Sequence, residues 1–310
     1  MRLHSDIETR LHRHAKHCGQ VRRCRPLLGT LVEIACQGSP HDIDCAFTAV
    51  EKVQRLMSFH DPSSDVARIN RHAWRCPVKV HPWTHHVVKL AQEFSRKSDG
   101  VFDVTVARQL VKWNYLPRTD TRLCSGGSWR DILVDDQCKI RFRRRTIIDL
   151  GGIAKGFAVD RAVEVLKKNG VAAGIVNAGG DLRIWGSPSQ VVYVRHPAEP
   201  TRVAGAVRLR QRALATSGIY FERRTYRGNS VAPILNGRTG QAARELISVS
   251  VAAAECMVAD ALTKIVYVLR EKAADLLTQS RADALLLDRN GTPCWSFHSP
   301  CDTRDQTRFD

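Results

Sequence analysis

The segment that most constrains this chain is DLGGIAKGFAVD, which spans Asp149 to Asp160. The apolar run Thr146 to Leu150 predicts a short buried strand before it, and Ala154 to Lys168 predicts a helix that ends at Asn169-Gly170. Two glycines then separate strand and helix, where free N–H groups and the Lys155 cation face one point. The Walker spacing is absent. The pattern predicts a phosphate-binding turn; the alternative is an ordinary turn with a solvated lysine.

Strand-like and helix-like segments alternate along the rest of the chain in a mixed order. Apolar residues at helical spacing predict helices at 42–57, 85–97 and 257–269. Alternating or β-branched runs predict strands at 29–35, 172–177, 191–195, 203–209 and 248–253. The hairpin-like runs in the middle argue against a doubly wound parallel sheet. We therefore predict an α+β fold, in which mixed or antiparallel sheets pack against helices.

The chain is strongly basic. Its 310 residues include 48 Lys plus Arg against 31 Asp plus Glu, a formal net charge of +17. This balance favours contact with an anion, whether a nucleotide, a nucleic acid or a lipid head group. The basic residues are spread along the chain, with denser patches at Arg22-Arg23 and Arg141 to Arg145, so a solvated basic surface is the alternative. No RNP, helix-turn-helix or zinc-finger pattern supports a nucleic-acid partner.

Cysteine usage and the two ends of the chain predict its compartment and domain limits. None of the ten cysteines forms a C-x-x-C pair, which argues against a zinc site or a thioredoxin-like redox pair. Residues 1–25 are basic and His-rich without the apolar region of a secretion signal, and no run reaches the length of a membrane span. We expect free thiols and a cytoplasmic protein. We predict tails at 1–25 and 299–310 around one domain at 26–298.

Five further segments carry candidate ligand-binding side chains, and four of them place a glycine nearby. Asn177 to Asp181 (NAGGD) predicts either a tight turn that a ligand approaches or a plain hairpin turn. Thr216 to Tyr220 (TSGIY) and Ile234 to Gly240 (ILNGRTG) offer hydroxyls for a phosphate, although both are also ordinary turn chemistry. Asp260 in ADALTK either holds Mg²⁺ or complements the helix dipole. Phe102-Asp103, after a turn glycine, is a weaker candidate for a carboxylate beside a ligand.

Taken together and in order, these segments resemble the FAD:protein FMN transferase family, the ApbE-type flavin transferases. The resemblance covers roughly residues 25–290, and so many ordered motifs are far more specific than any one of them. The matching segments are Leu28-Gly29-Thr30, Met57-Ser58 with Ser63, Ser64 and Asn70, Gly100 to Thr105, Asp149 to Asp160, Asn177 to Asp181 and Thr216 to Tyr220.

The resemblance implies a T-fold-like architecture and an enzyme that uses FAD and Mg²⁺. Such an enzyme transfers FMN from FAD to a Thr or Ser of a target flavoprotein and releases AMP. The residues implied to bind FAD are Ser58, Asp103, Lys155, Asp181, Thr216, Ser217 and Gly218. The residues implied to hold Mg²⁺ are Ala154, Asp260 and Thr263. The implied partner is a flavoprotein that carries a Ser/Thr acceptor motif.

Three positions depart from the family pattern. Pro233 stands where the family has a histidine that resembles the general base, a role worth about 10²–10⁴-fold in rate. Asn236-Gly237 replaces the family's D-P. Lys264 replaces the last threonine of D-A-L-A-T, and Thr263 lies one residue earlier, which rotates its hydroxyl by about 100° on a helix. A lysine there would repel a metal or substitute for its charge.

Two interpretations follow from these departures. In the first, the protein is a working transferase with a rearranged base and metal site. In the second, it is an FAD-binding relative with weak or no transferase activity, such as a regulator or carrier. The catalytic base stays unassigned, with His60 and Asp181 as the nearest candidates. A nucleic-acid-binding protein, suggested only by the charge, is a third hypothesis.

Overall fold

Seven helices and sixteen strands are formed by the residues that the computed structural model describes, which are 20–118, 126–186, 189–199, 201–219, 223–243, 245, 247–299 and 308–309. The helices are α1 Pro40–Met57, α2 Asp65–His72, α3 Pro82–Lys97, α4 Ala107–Lys112, α5 Ala154–Lys168, α6 Cys256–Leu269 and α7 Ala274–Gln279. Short 3₁₀ turns cover Val104–Val106, Trp129–Asp131 and Arg270–Ala273.

The strands form one large sheet and three small ones. They are β1 Val21–Leu27, β2 Thr30–Cys36, β3 Val78–Lys79, β4 Ile132–Val134, β5 Lys139–Phe142, β6 Gly174–Ala178, β7 Asp181–Trp185, β8 Gln190–Arg195, β9 Val203–Leu209, β10 Ala213–Gly218, β11 Arg224–Tyr226, β12 Asn229–Val231, β13 Ser248–Ala253, β14 Asp283–Leu287, β15 Pro293–Phe297 and β16 Arg308–Phe309. The large sheet has the order β1-β2-β6-β7-β10-β13-β14-β15, and the small sheets are β16-β9-β8, β3-β5-β4 and the hairpin β11-β12. Every pairing among the described strands is antiparallel, which confirms the α+β prediction.

The central strands of the large sheet are buried on both faces. Alternate residues such as Val176 and Ala215 join the main core, together with Phe47 of α1 and Phe157 of α5. The intervening residues, which include Leu214, pack with β8 and β9 in a second core. Because successive side chains of a strand point to opposite faces, one strand serves both layers. This arrangement explains why β13 and β14 have no exposed residue.

The predicted strand at 146–150 is wrong. The segment joins no sheet. The Asn70 side chain takes the place of a neighbouring strand: its Nδ2 donates to the Ile148 carbonyl at 2.9 Å, and its Oδ1 accepts from the Ile148 N–H at 2.8 Å. The Asp149 N–H then donates to the Val104 carbonyl at 2.9 Å. One side chain therefore satisfies backbone groups that the apolar pattern assigned to a ladder.

Both predicted tail boundaries need correction. Strand β1 begins at Val21, inside the tail predicted at 1–25, because Val21 to Leu27 pairs in register with β2. At the other end, Ser299 donates its N–H to Asp283 at 2.8 Å, and β16 pairs with β9 inside the tail predicted at 299–310. Residues 1–19, which hold four of the N-terminal histidines, lie outside the described residues.

Candidate active site

Four charged side chains meet at the start of α5, and we call Lys155, Asp181, Asp260 and Lys264 the charge cluster. The Lys155 Nζ lies 2.5 Å from Asp181 Oδ2, and the Lys264 ammonium contacts Asp260 Oδ1. The two carboxylates are almost fully buried, whereas the Lys155 side chain is 34% exposed and that of Lys264 is 19% exposed. The cluster therefore presents its cations outward and hides its anions.

Three elements from distant parts of the chain position the cluster. Lys155 is the second residue of α5, directly after the Gly151-Gly152 turn. Asp181 opens β7 after Gly179 and Gly180, whose φ angles of 67° and 106° are in the region that favours glycine. Asp260 and Lys264 lie one turn apart on α6, the spacing at which helical side chains meet.

The contact between α5 and α6 depends on Gly156. A Cβ built on Gly156 would lie 2.3 Å from the Cys256 carbonyl oxygen, so only glycine allows the two helices to approach this closely. Its N–H donates to Asp260 Oδ2 at 3.1 Å. Lys155 and Gly156 thus supply a cation and a backbone N–H donor, respectively, to the charge cluster.

Asp160 and Arg183 anchor the same contact, and the sequence reasoning missed their role. Asp160 accepts from the backbone N–H groups of Cys256 at 2.9 Å and Met257 at 2.8 Å, and so holds the start of α6. Arg183 pairs with Asp160 at 2.6 Å. Asp160 and Cys256 are 96 residues apart, so no local pattern could have identified the contact.

Burial and the two lysines set the protonation of the cluster. Burial by itself raises the pKa of Asp260, but the ammonium groups of Lys264 and Lys155 outweigh it and hold that pKa below its usual value. Burial and the neighbouring Asp260 raise the pKa of Asp181. Burial alone would lower the pKa of Lys155, yet Asp181 and Asp260 raise it. Lys155 therefore stays charged at neutral pH beside an ionised Asp260.

The Thr263 hydroxyl contacts the charge cluster directly and Ser217 contacts it through Thr263, whereas Thr216 does not. The Thr263 hydroxyl donates to the Asp260 carbonyl at 2.7 Å, and Ser217 Oγ lies 2.7 Å from Thr263 Oγ1. Thr216 points to the opposite face of β10, where it shares a 2.9 Å hydrogen bond with Ser250. The two adjacent hydroxyls predicted to bind FAD are therefore on different faces of the sheet.

The Gly151-Gly152 turn is bordered by residues of other motifs. A Cβ built on Gly152 would lie 3.5 Å from Phe102 Cε2 and 3.9 Å from Lys264 Cε. Burial raises the pKa of Asp149, which accepts from the Gly151 N–H at 3.1 Å, and the charge of a nearby His60 opposes that rise. The turn is therefore the point at which the family-like segments converge.

The remaining predicted residues have partners outside the charge cluster. Asp103 Oδ1 accepts from the backbone and hydroxyl of Thr105, both at 2.8 Å, and its Oδ2 accepts from the Trp129 N–H at 3.0 Å. Ser58 Oγ accepts from the N–H groups of residues 60 and 61. Ala154 begins α5 and Gly218 ends β10. Their predicted roles toward a ligand stay predictions.

The segment around Pro233 is held against the Gly100-Val101 turn. The Gly237 N–H donates to the Val101 carbonyl at 2.9 Å, a bond that the family's proline at this position cannot make. A Cβ on Gly237 would lie 2.4 Å from the Gly100 carbonyl oxygen. The Asn236-Gly237 departure thus permits closer packing. Pro233 itself is half-buried and offers no proton acceptor on its side chain.

The acidic residues of the cluster do not fit a divalent cation as they are arranged. Asp260 Oδ1 holds the Lys264 ammonium, and Asp260 Oδ2 accepts from the Gly156 N–H. Magnesium needs oxygen ligands at about 2.0–2.1 Å, a position that the ammonium blocks at Oδ1. Within the described part of the chain, no three His, Cys, Asp or Glu residues are grouped as metal ligands.

Comparison with known proteins identifies the family. A family model described as "ApbE family" matches residues 28–286. The chain belongs to the ApbE family. It is 25% identical over 294 residues to the FAD:protein FMN transferase of Vibrio cholerae, with 88% of each chain covered. It is 27% identical over 266 residues to the Haemophilus influenzae protein of the same name, with 77% of this chain and 76% of that one covered.

A solved ApbE structure has the same fold. The crystal structure of the ApbE protein from Thermotoga maritima superposes with a TM-score of 0.80 at 30% identity. The superposition covers 91% of this chain and 97% of that one. The ApbE-like architecture predicted from the motifs is thereby confirmed.

Two further findings concern the cysteines and the helices. Seven cysteines in the described ranges are free thiols, as predicted, and Cys18, Cys124 and Cys301 lie outside those ranges. Of the helices in the described part of the chain, none has the length and apolar character to cross a membrane.

Proposed function

We propose that this chain is an FAD:protein FMN transferase, as the two curated relatives are named. The observation that carries the proposal is the charge cluster at the Gly151-Gly152 turn, where two ammonium groups and the start of α5 face one point. A helix start with glycines and a fixed lysine is suited to a pyrophosphate, the group at which FAD must be cleaved.

In the proposed reaction, a Ser or Thr hydroxyl oxygen of the target attacks the phosphorus of the FMN half. A P–O bond forms, the P–O bond to the AMP half breaks, and AMP leaves while the hydroxyl proton is released. Lys155 makes one hydrogen bond, to Asp181, among the described contacts, so its ammonium has further N–H groups for the phosphate oxygens. Such preorganised donors stabilise the charge that develops during transfer.

The predicted FAD-binding residues enter the proposal unequally. Lys155 and Ser217 are in or beside the cluster, whereas Ser58, Asp103 and Gly218 lie on segments whose described hydrogen bonds go to residues outside it. We propose that those segments shape the site through their backbone. The proposed mechanism uses no magnesium, because the Lys264 ammonium already pairs with Asp260. The resemblance implies magnesium at Ala154, Asp260 and Thr263.

One observation favours the alternative of an FAD-binding relative with little activity. The family histidine is Pro233, and Asp181, the other candidate in the charge cluster, has its Oδ2 paired with Lys155. His60 remains as a candidate base because it lies near Asp149 beside the turn. In this alternative the protein binds FAD and transfers FMN slowly or not at all.

Intact-mass measurement separates the two functions. The protein, FAD and a target flavoprotein domain are incubated, and the target is weighed with and without its acceptor Ser/Thr changed to Ala. A gain of one FMN residue on the intact target alone, with AMP in the supernatant, supports the transferase. FAD bound without any mass gain supports the binding relative, and absence of FAD binding refutes both.

A substitution at Pro233 tests the missing base. Pro233→His is expected to raise the transfer rate by about tenfold or more, since general-base catalysis contributes about 10²–10⁴-fold. Pro233→Ala is the matched control, because it removes the proline ring without adding a base. FAD affinity should stay the same in both. Equal transfer rates in the two variants would show that the base lies elsewhere, and His60→Ala is then the next test.

The partner and compartment follow from the same proposal. We propose a target flavoprotein with an exposed Ser/Thr acceptor motif, and no nucleic acid as a substrate. The seven free thiols support a reducing compartment such as the cytoplasm.

A further inference from the structure

We propose that the Lys264 ammonium takes the place of a divalent cation, so that this chain binds the FAD pyrophosphate without metal. The inference rests on the proposed function, because it concerns how the same site holds FAD. It is carried by the position of Lys264 and by the charge of the cluster around it.

The Lys264 side chain is placed at the turn and keeps a donor for a ligand. Its Nζ donates to the Asp260 carboxylate and, at 3.0 Å, to the Asp260 carbonyl. An ammonium has three N–H donors, so these two bonds leave one. Its Cε lies 3.9 Å from a Cβ built on Gly152, which brings the head group to the glycine turn where the pyrophosphate is proposed to bind.

The oxygens that a cation would need are already engaged. Both Asp260 carboxylate oxygens and the Asp260 carbonyl accept hydrogen bonds from other groups. The Thr263 hydroxyl donates to that carbonyl and is paired with Ser217. A metal would have to break several of these bonds and displace the Lys264 ammonium from the buried Asp260 carboxylate.

The formal charge of the cluster explains why the ammonium suffices. Two lysines and two aspartates sum to zero, whereas a threonine at 264 would leave a net charge of −1. An acidic site attracts a divalent cation, and a neutral one that contains an ammonium repels it. The pyrophosphate of FAD carries one negative charge on each phosphate, and Lys155 and Lys264 offer it two cations.

Titration of FAD into the purified full-length protein, followed by flavin fluorescence, tests the inference. The wild type, Lys264→Thr and Lys264→Met are each measured in EDTA. The measurements are then repeated at MgCl₂ concentrations that increase in 5-fold steps. We expect wild-type affinity to be the same within about twofold in all conditions. In EDTA, Lys264→Thr should bind FAD at least about tenfold more weakly than the wild type, because it lacks one charge-assisted hydrogen bond. Added Mg²⁺ should restore its FAD affinity. Lys264→Met, which has neither charge nor oxygen, should be weak in both.

A tenfold or larger gain of wild-type affinity on adding Mg²⁺ would overturn the inference and leave the proposed function intact.

Mn²⁺ binding to the FAD-free proteins, followed by electron paramagnetic resonance, is the second readout. Lys264→Thr should bind Mn²⁺ more tightly than the wild type by about tenfold or more, since its site is acidic. Equal Mn²⁺ affinities would overturn the inference. If no protein binds FAD under any condition, the proposed function fails, and the Mn²⁺ comparison still decides the role of Lys264. Thermal unfolding followed by circular dichroism confirms that each variant is folded.

Discussion

Replacing Lys155 by methionine should weaken both the fold and FAD binding, for separable reasons. The change removes the partner that lies 2.5 Å from the buried Asp181 carboxylate. Breaking a fully buried ion pair costs about 3–5 kcal/mol. The Lys155 side chain is 34% exposed, and Lys264 also lowers the pKa of Asp181, so some compensation remains. We therefore expect a loss of about 2–3 kcal/mol in the free energy of unfolding for Lys155→Met.

A double-mutant cycle with Asp181→Asn distinguishes the two effects. Removing the carboxylate charge as well should recover about 1–2 kcal/mol, because the buried anion is no longer unpaired. FAD affinity should not recover, because the proposed phosphate contact is still missing; we expect it to be about tenfold weaker in both Lys155 variants. Urea unfolding at pH 7 gives the stabilities, and flavin fluorescence gives the affinities.

Either of two results would refute this reasoning. If Lys155→Met and the double variant unfold with the same free energy, the ion pair does not determine the stability of the site. If the double variant regains wild-type FAD affinity, Lys155 acts only by neutralising Asp181 and does not touch the ligand.

Two further predictions concern stability. Gly156→Ala should cost about 1–3 kcal/mol in urea unfolding despite the better helix propensity of alanine, because its Cβ would meet the Cys256 carbonyl at 2.3 Å; Gly152→Ala, whose Cβ would have only ordinary contacts from 3.5 Å, is the matched control, and equal losses would contradict the packing argument. Burial raises the pKa of Tyr267 to about 12, and its hydroxyl donates to the Glu245 carbonyl at 2.7 Å. A raised pKa in the folded state favours the protonated form, so this stabilisation is complete below the unfolded pKa of about 10 and is lost as the pH rises towards 12. The difference in unfolding free energy between wild type and Tyr267→Phe should therefore shrink by about 1–3 kcal/mol between pH 9 and pH 12, and a constant difference would contradict the assignment.

Much of the fold could be predicted from local patterns. The helix at 154–168, the strand at 203–209 and the strand at 248–253 agree with α5, β9 and β13 residue for residue. Periodicity succeeds there because each element has apolar residues at the spacing of its own buried face. The phosphate-site prediction at Lys155 also depended on local features, namely two glycines and a helix start. The same locality explains the error at 146–150, since an extended apolar run does not reveal whether a strand or the Asn70 amide satisfies its backbone.

Only the tertiary structure decided which of the candidate residues share a site. The i,i+4 spacing of Asp260 and Lys264 was visible in the sequence and could have predicted their ion pair. It could not show that Gly156 occupies the other carboxylate oxygen, or that Asp160 holds the start of α6 from 96 residues away. Nor could it show that Thr216 and Ser217 face different layers, because either face of a strand buried on both sides is chemically acceptable. Local spacing determines what an element is and pairs Lys264 with Asp260. Long-range packing then brings that pair to Gly156 and to the Gly151-Gly152 turn, because these residues lie on separate elements whose contact no local pattern encodes.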